Sequence, residues 1–500
     1  MYKQINLRQL DPWVRLAVLF ILAGILYRLV RYLVRMPLWG DEVMLGLNFI
    51  DRQAADLFAP LLYNQVLPAG YLALSWFLMQ LAGFSEWVLR FPALLFGIAS
   101  LIAIYQLGRR LSGLPTAALA VATFAASYYS TRHGVEFKPY AADVFFAALC
   151  LLVCFQVFRR QISWLWMFPL ILIAPLFSYP SVFAIAGAGA TLVVAALFTG
   201  DRGLLVKAVI AGIFTCVFFA LYYLGFVDAQ SSGSEDLYHM WSHTFVPESP
   251  LEFPLWLLGQ LSGRMLAYPV GGKHFGSILT LGLCVLGTWH FIRERRYFEL
   301  GLLLSPVLFT LFAAVLHLYP FGGSARFAQH LAPTIVILVG AGIKSLCRKP
   351  GLKAWPVLIW SGLCGLLCVA GTAHSVLKPY KSKDALEVRA VVEDLALRGC
   401  EEIFSLNPAN TTPVNFAWYL QTSGRLQPLH ALDLNAPAQD PVCLISFSSE
   451  RFPEHAEQRR QISEALGDYR LTHTLKDSVQ IYGHTKNHPH SYRVNIWRRP

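Results

Sequence analysis

Runs of roughly 17–23 apolar residues recur along this chain, each long enough to cross the hydrocarbon core of a bilayer as a helix. They fall near 13–32, 89–108, 113–131, 141–158, 163–179, 180–198, 204–226, 275–292, 299–317, 328–346 and 354–372. A backbone in lipid has to satisfy its own hydrogen bonds, which restricts such a chain to a bundle of membrane helices. Composition agrees, with 55% apolar and only 14% charged residues and a mean hydropathy of +0.48. A soluble domain carries nearer a quarter charged residues. No small-residue cleavage site follows the first run, so 13–32 reads as a retained helix rather than a signal peptide.

One further apolar segment, Leu67–Leu81, is short for a crossing. Charge decides how it is read. The basic connections are Arg109-Arg110, Arg159-Arg160, Arg202 with Lys207, Arg293 to Arg296, and Lys344 with Arg348-Lys349. If Leu67–Leu81 lies in the interface, all five fall on the same side as Lys3, Arg8 and Arg15, as the positive-inside bias requires. The expectation is therefore eleven membrane helices, a cytoplasmic N-terminus and an external C-terminus. The net charge of +11 reports this orientation, and no basic-aromatic pattern points to nucleic acid. Arg28, Arg31 and Arg35 crowd the outer end of the first helix and have to snorkel or face a polar site.

On this topology residues 36–88 form a first external loop with two juxtamembrane helices, and 227–273 form a large later one. Val43, Leu47, Ile50, Ala54 and Leu57 recur at near-helical spacing and would lay one stripe on the bilayer. Residues 373–500 turn polar and read as a small C-terminal α/β domain, with helical patterns at 385–397, 413–421 and 456–466 between short strand-like runs. Most of the nine cysteines lie in apolar runs without metal-ligand spacing and read as core residues. A disulfide between Cys400 and Cys443 stays open, and His484, His488 and His490 lack ligand geometry.

Two polar clusters stand at membrane exits. The first is Pro37-Leu38-Trp39-Gly40-Asp41-Glu42, and the second holds Arg132, His133, Glu136, Lys138, Tyr140 and Asp143. Paired carboxylates against a bilayer are rare without a use. Bland readings compete with functional ones. Asp41 can cap a helix, and Glu42 can sit in its first turn. Asp143 can complement the helix that Pro139 starts. Glu136 and Lys138 can be a solvated pair, and Arg326 can reach the headgroups.

Trp39-Gly40-Asp41-Glu42, Pro68-Ala69-Gly70-Tyr71 and the stretch from Gly83 to Leu94 resemble the first external loop of the GT-C glycosyltransferases. This superfamily includes protein O-mannosyltransferases, lipid A aminoarabinose transferases and a galacturonosyltransferase-like group. Val135 to Asp143 is similar to a pattern of its bacterial members, and Arg326 followed by Pro333 is a fainter match. The similarity spans about residues 36–145. The chain departs from several relatives in carrying Val66-Leu67-Pro68-Ala69 where they have a Lys or His before Pro-Pro. A phosphate contact made there would have to come from Gln65, Arg132 or Lys138.

The resemblance implies a polytopic α-helical membrane protein of GT-C type that moves a sugar from a polyprenyl-phosphate donor to an envelope lipid or glycan at the external face, with inversion. It casts Asp41 as general base, with Glu42 positioning the acceptor or Asp41. Arg132, Lys138 and Arg326 would stabilise the leaving phosphate. Gln65, Glu136, Tyr140, Asp143 and Tyr319 complete the expected substrate site. Some members use a divalent cation such as Mg or Ca, for which Asp41, Glu42 and Glu136 offer oxygens. The implied location is a bacterial inner membrane. A lipid or glycan transporter, an assembly scaffold, and an oligosaccharide transferase or polymerase remain alternatives.

Overall fold

The computed structural model describes residues 10–50, 52–231, 241–273, 275–347, 354–381 and 383–397. Beyond these it describes 403–405, 418, 419, 422, 430, 431, 442–449, 470–482 and 489–498. Cys400, His484, His488 and the pattern at 456–466 lie outside the described residues, as does most of 413–421.

In chain order the α-helices are α1 (Pro12–Leu33), α2 (Gly40–Leu47), α3 (Ala69–Ala82), α4 (Glu86–Ser112), α5 (Leu114–Ala126) and α6 (Tyr128–His133). Then come α7 (Tyr140–Phe158), α8 (Met167–Phe177), α9 (Ser181–Thr199), α10 (Arg202–Tyr222), α11 (Asp228–Ser231) and α12 (Phe253–Ser262). Among the described residues the series ends with α13 (Ile278–Arg293), α14 (Tyr297–Val315), α15 (Ala332–Leu346), α16 (Trp355–Leu377) and α17 (Lys383–Leu397). Among the described residues eight helical stretches are long and apolar enough to cross a membrane. They are α1, α4, α7, α9, α14 and α16, the stretch Arg202–Gln230, and α15 with the 3-10 turn before it. Helices α5 and α13 and the stretch Trp164–Phe177 are shorter and apolar, as is α3. At 14 residues, α3 falls short of the ~20 that a perpendicular crossing takes.

Local chemistry sets the breaks. Asp11 caps α1 by accepting the Trp13 N–H at 2.8 Å, with Pro12 at the first helical position, where no N–H is needed. Ser85 caps α4 by accepting the Val88 N–H. Gly113, at φ +90°, ends α4 and lets α5 turn back at once, a conformation that a side chain would strain. Small residues bring α13 and α15 together: a methyl group on Gly287 would run into the backbone of Leu338. With little hydrophobic drive between helices in lipid, such close backbone packing is a main source of cohesion.

The first juxtamembrane helix is shorter than its apolar stripe suggests. It stops at Leu47 because Asn48 turns its side chain inward, accepting the Leu62 N–H at 2.7 Å. Arg52 then donates to the carbonyls of Asp56, Ala59 and Pro60, folding the loop on itself. Val43 and Leu57 face the protein interior rather than lipid, in one cluster with Leu67, Tyr71 and Phe137.

That cluster also takes in Val388, Val391 and Leu395 of α17, together with Trp418 and Tyr419. The C-terminal part thus packs on the first loop. Its described strands are β1 (Ile403–Ser405), β2 (His430–Ala431), β3 (Val442–Ser449), β4 (Arg470–Tyr482) and β5 (Pro489–Arg498). They form one sheet in the order β2-β1-β3-β5-β4. The β2-β1-β3 side is parallel and β3-β5-β4 is antiparallel.

Candidate active site

Everything in the site is organised around the segment from Met36 to Glu42. Glu42 is fully buried. Its carboxylate accepts from Arg90 Nε at 2.8 Å and Nη2 at 2.5 Å, from the Phe137 N–H at 2.7 Å and from the Trp39 N–H at 3.3 Å. Arg90, from the first turns of α4, also donates to the carbonyls of Met36 and Pro37. One acid therefore ties together the first loop, α4 and the second polar cluster. Its oxygens are committed, and its neighbour is left to face the site.

Asp41 is that neighbour. Trp39 holds the N-cap position of α2, so Asp41 falls in the first turn and not at the cap. Its side chain is 33% exposed, and Oδ2 accepts from Arg326 Nη1 at 2.8 Å. Arg326 makes cation–π contacts with both Trp241 and Phe327, which meet edge to face, its guanidinium carbon 4.9 and 5.0 Å from the ring centroids. Tyr319 braces the same turn by donating to the Phe327 carbonyl at 3.0 Å.

Lys138 is buried, and its Nζ donates to Gln65 Oε1 at 2.6 Å. Two of the three groups expected to replace the missing phosphate contact thus meet directly. Burial pulls the lysine down to about 8, a shift opposed by the charge of Asp41 and assisted by that of Arg326.

Glu136 forms a second buried knot. It accepts from Arg132 Nε at 2.6 Å and lies 2.7 Å from His133 Nδ1. Burial would raise its carboxyl, but His133 and Arg132 outweigh that and hold it well below the ordinary range. Burial lowers His133 despite the carboxylate beside it. The Tyr140 ring meets His133 edge-on at 4.9 Å. Asp143 lies deeper on α7, next to Ser178, and is buried. Pro139 proves to be the N-cap of α7, one place ahead of the position its sequence suggests.

The arginines of α1 divide. Arg28 is fully buried under the Phe124 ring and donates to the Gly24 carbonyl. Arg31 donates a long 3.4 Å bond to Ser375 Oγ. Arg35 pairs with Glu86 at 2.9 Å. None of the three needs to reach lipid headgroups to find a partner.

Of the three acids that could offer oxygens to a divalent cation, Glu42 and Glu136 are committed elsewhere, and Asp41 keeps one carboxylate oxygen outside its pair with Arg326. Both oxygens of Glu42 are taken by Arg90, and those of Glu136 by Arg132 and His133. Among the described residues no three His, Cys, Asp or Glu gather as a metal-binding group.

Three contributors escaped sequence reasoning. Arg90 had a legible signal, a charge inside an apolar span. Trp241 and Lys381 had none. Lys381 follows α16, places its ammonium on the face of the Trp39 ring and stands 3.8 Å from Glu136.

Residues 67–224 match the family model described as dolichyl-phosphate-mannose-protein mannosyltransferase. By structure the chain is similar to ArnT from Cupriavidus metallidurans bound to undecaprenyl phosphate. The TM-score is 0.54 at 14% identity, over 95% of this chain and 97% of that one. The apo form of the same protein gives 0.52 at 14% identity over the same shares. The Archaeoglobus fulgidus oligosaccharyltransferase gives 0.49 at 13% identity over 86% of this chain and 65% of that one. No curated protein matches by sequence.

Proposed function

This chain has the GT-C glycosyltransferase fold, and from that premise we propose that it transfers a sugar from a polyprenyl-phosphate donor to an envelope lipid or glycan. The reaction takes place at the external face of a bacterial inner membrane. Residues 1–372 cross the bilayer eleven times with the N-terminus cytoplasmic, and residues 373–500 form an external α/β domain. The ArnT neighbour was solved with undecaprenyl phosphate, which supports a donor of that kind.

The observation that carries the proposal is the partly exposed pair of Asp41 and Arg326, with Lys138 nearby. Asp41 takes the proton of an acceptor hydroxyl as its oxygen attacks the anomeric carbon. The bond from that carbon to the phosphate oxygen breaks, and its electron pair leaves with the phosphate. Lys138 and Arg326 stabilise the charge that develops there. Attack and departure on opposite faces of the sugar give inversion. Glu42 acts through position, fixing the turn that aims Asp41. Arriving phosphate competes with Asp41 for Arg326, so donor binding frees the base.

The test is release of polyprenyl phosphate by purified protein in nanodiscs, with a panel of polyprenyl-phosphate sugars and envelope-lipid acceptors. Release by wild type and its loss in Asp41→Asn, with donor binding intact, is the expected result. Equal release by both proteins would remove Asp41 from the chemistry. No release from any donor would count against the transferase.

A further inference from the structure

A pocket opens beside Trp39, walled by Met36, Pro37 and Val135. Its polar lining includes Arg31, Arg90 and Lys381, with Glu42 and Glu136 as the acids. The acids are already answered. Glu42 is bound bidentately by Arg90, and Glu136 by Arg132 and His133. Two cations have no hydrogen-bonded carboxylate: Arg31, which lies over the Tyr128 ring, and Lys381, which lies over the Trp39 ring. Arg31 is 7% exposed, its Nε has no partner, and its one side-chain bond is the 3.4 Å contact with Ser375. Lys381 stands too far from Glu136 for a hydrogen bond, at 3.8 Å.

The unfilled hydrogen-bonding capacity is also one-sided. Arg31 Nε and the indole Nε1 of Trp39 are both buried donors without an acceptor. An orphaned buried donor costs about 1–3 kcal/mol, and more when charged, so two beside an ammonium that has no hydrogen-bonded acceptor call for an oxygen-rich partner. Water answers the hydrogen bonds but not the surplus charge.

We propose that this pocket binds an anionic group of the acceptor, a phosphate or a carboxylate, and thereby sets a neighbouring hydroxyl against Asp41. The inference rests on the transferase reading and adds the acceptor's charge class and the place that recognises it. Trp39 is two residues from Asp41, so an anion held on the indole edge brings the rest of its molecule to the base. Donor phosphate is served separately by Lys138, Gln65 and Arg326. Burial pulls Lys381 down to about 7, a shift that Glu136 opposes and Arg132 assists. A bound anion would restore the lysine's charge.

Binding, not turnover, is the first readout, so that failure here is separable from failure of the transferase. The full-length protein in nanodiscs is titrated with glycerol 1-phosphate and with galacturonate, against glycerol and galactose as neutral counterparts. Saturable binding of either anion but of neither neutral compound is expected. Phosphate alone points to a lipid headgroup or phosphorylated glycan, and carboxylate alone to a uronate. Lys381→Gln should weaken the anion about tenfold or more, equivalent to about 1.4 kcal/mol. Trp39→Phe, which keeps the ring and deletes the donor, should weaken it severalfold. Polyprenyl-phosphate binding should be unchanged in Lys381→Gln and reduced in Lys138→Gln. Equal binding of neutral compounds, no binding of either anion, or loss of polyprenyl phosphate in Lys381→Gln would overturn the proposal. Anion binding without any sugar transfer would leave the pocket standing and the transferase reading fallen.

Discussion

Arg326 reaches Asp41 across 2.8 Å although 285 residues separate them along the chain. The pair joins the first loop to the turn that follows α14, and it keeps a carboxylate and a guanidinium in contact while the donor is absent. Substituting Arg326 should therefore act twice, on phosphate binding and on the resting state of the base. Arg326→Lys keeps the charge but loses the guanidinium contacts with Trp241 and Phe327. A higher KM for donor together with a lower kcat is expected, and steady-state kinetics in nanodiscs would check it.

Asp41→Asn should lower transfer by about 10²–10⁴-fold, the usual contribution of a positioned general base. Thermal unfolding should change little, since the side chain is partly exposed. A comparable rate in the variant would move the base elsewhere.

Glu42 and Arg90 should behave in the opposite way. Arg90→Met strands a buried carboxylate, a loss of the order of 3–5 kcal/mol. The double variant Glu42→Gln/Arg90→Met should recover part of that stability. Denaturation midpoints of the two proteins in detergent decide the matter, and a single variant as stable as wild type would contradict the buried pairing.

Lys138 predicts an alkaline limb. Its folded value is lowered to about 8 by burial, against the opposing charge of Asp41, with Arg326, Glu42 and Glu136 also in range. A lysine is charged below its pKa, so the cation serving the leaving phosphate is present at neutral pH and lost as pH rises through about 8. The rate should fall across that window. Lys138→Arg, which stays charged, should move the fall to higher pH. A pH profile of kcat/KM, which reports the donor-free protein, that is flat to pH 10 would sink this assignment.

Gly46 lets the C-terminal part sit on α2, because a Cβ there would approach the Trp418 ring to 2.8 Å. Gly46→Leu should loosen that seat and raise the protease sensitivity of the region beyond residue 381, while the membrane helices stay intact. Limited proteolysis followed by mass spectrometry would show it.

The helices were legible because lipid imposes one rule on every backbone group it surrounds, and length and apolarity state that rule openly. The site was half legible. Asp41 and Glu42 advertised themselves as adjacent acids at a membrane exit, but adjacency does not say which is free. That depends on Arg90, one turn into α4, and on the Phe137 N–H, 95 residues away. The stripe through Leu57 misled for a related reason. Periodicity marks an apolar face without naming what covers it, and here the cover is protein. Lys381 left no trace because a lysine in a polar segment looks like any solvated residue until the fold brings Trp39 beneath it.

Tyr419 accepts the Leu38 N–H at 3.0 Å, and Arg389 donates to the Arg35 carbonyl. The segment that carries the acids is therefore fastened by residues synthesised more than 350 positions later. During biogenesis the membrane helices are made before Tyr419, and the loop of Asp41 stays unfastened until Tyr419 has been made and has reached it. A chain cut short after its last membrane helix would be inserted, abundant and silent, so any survey of such truncations should measure product as well as the presence of protein.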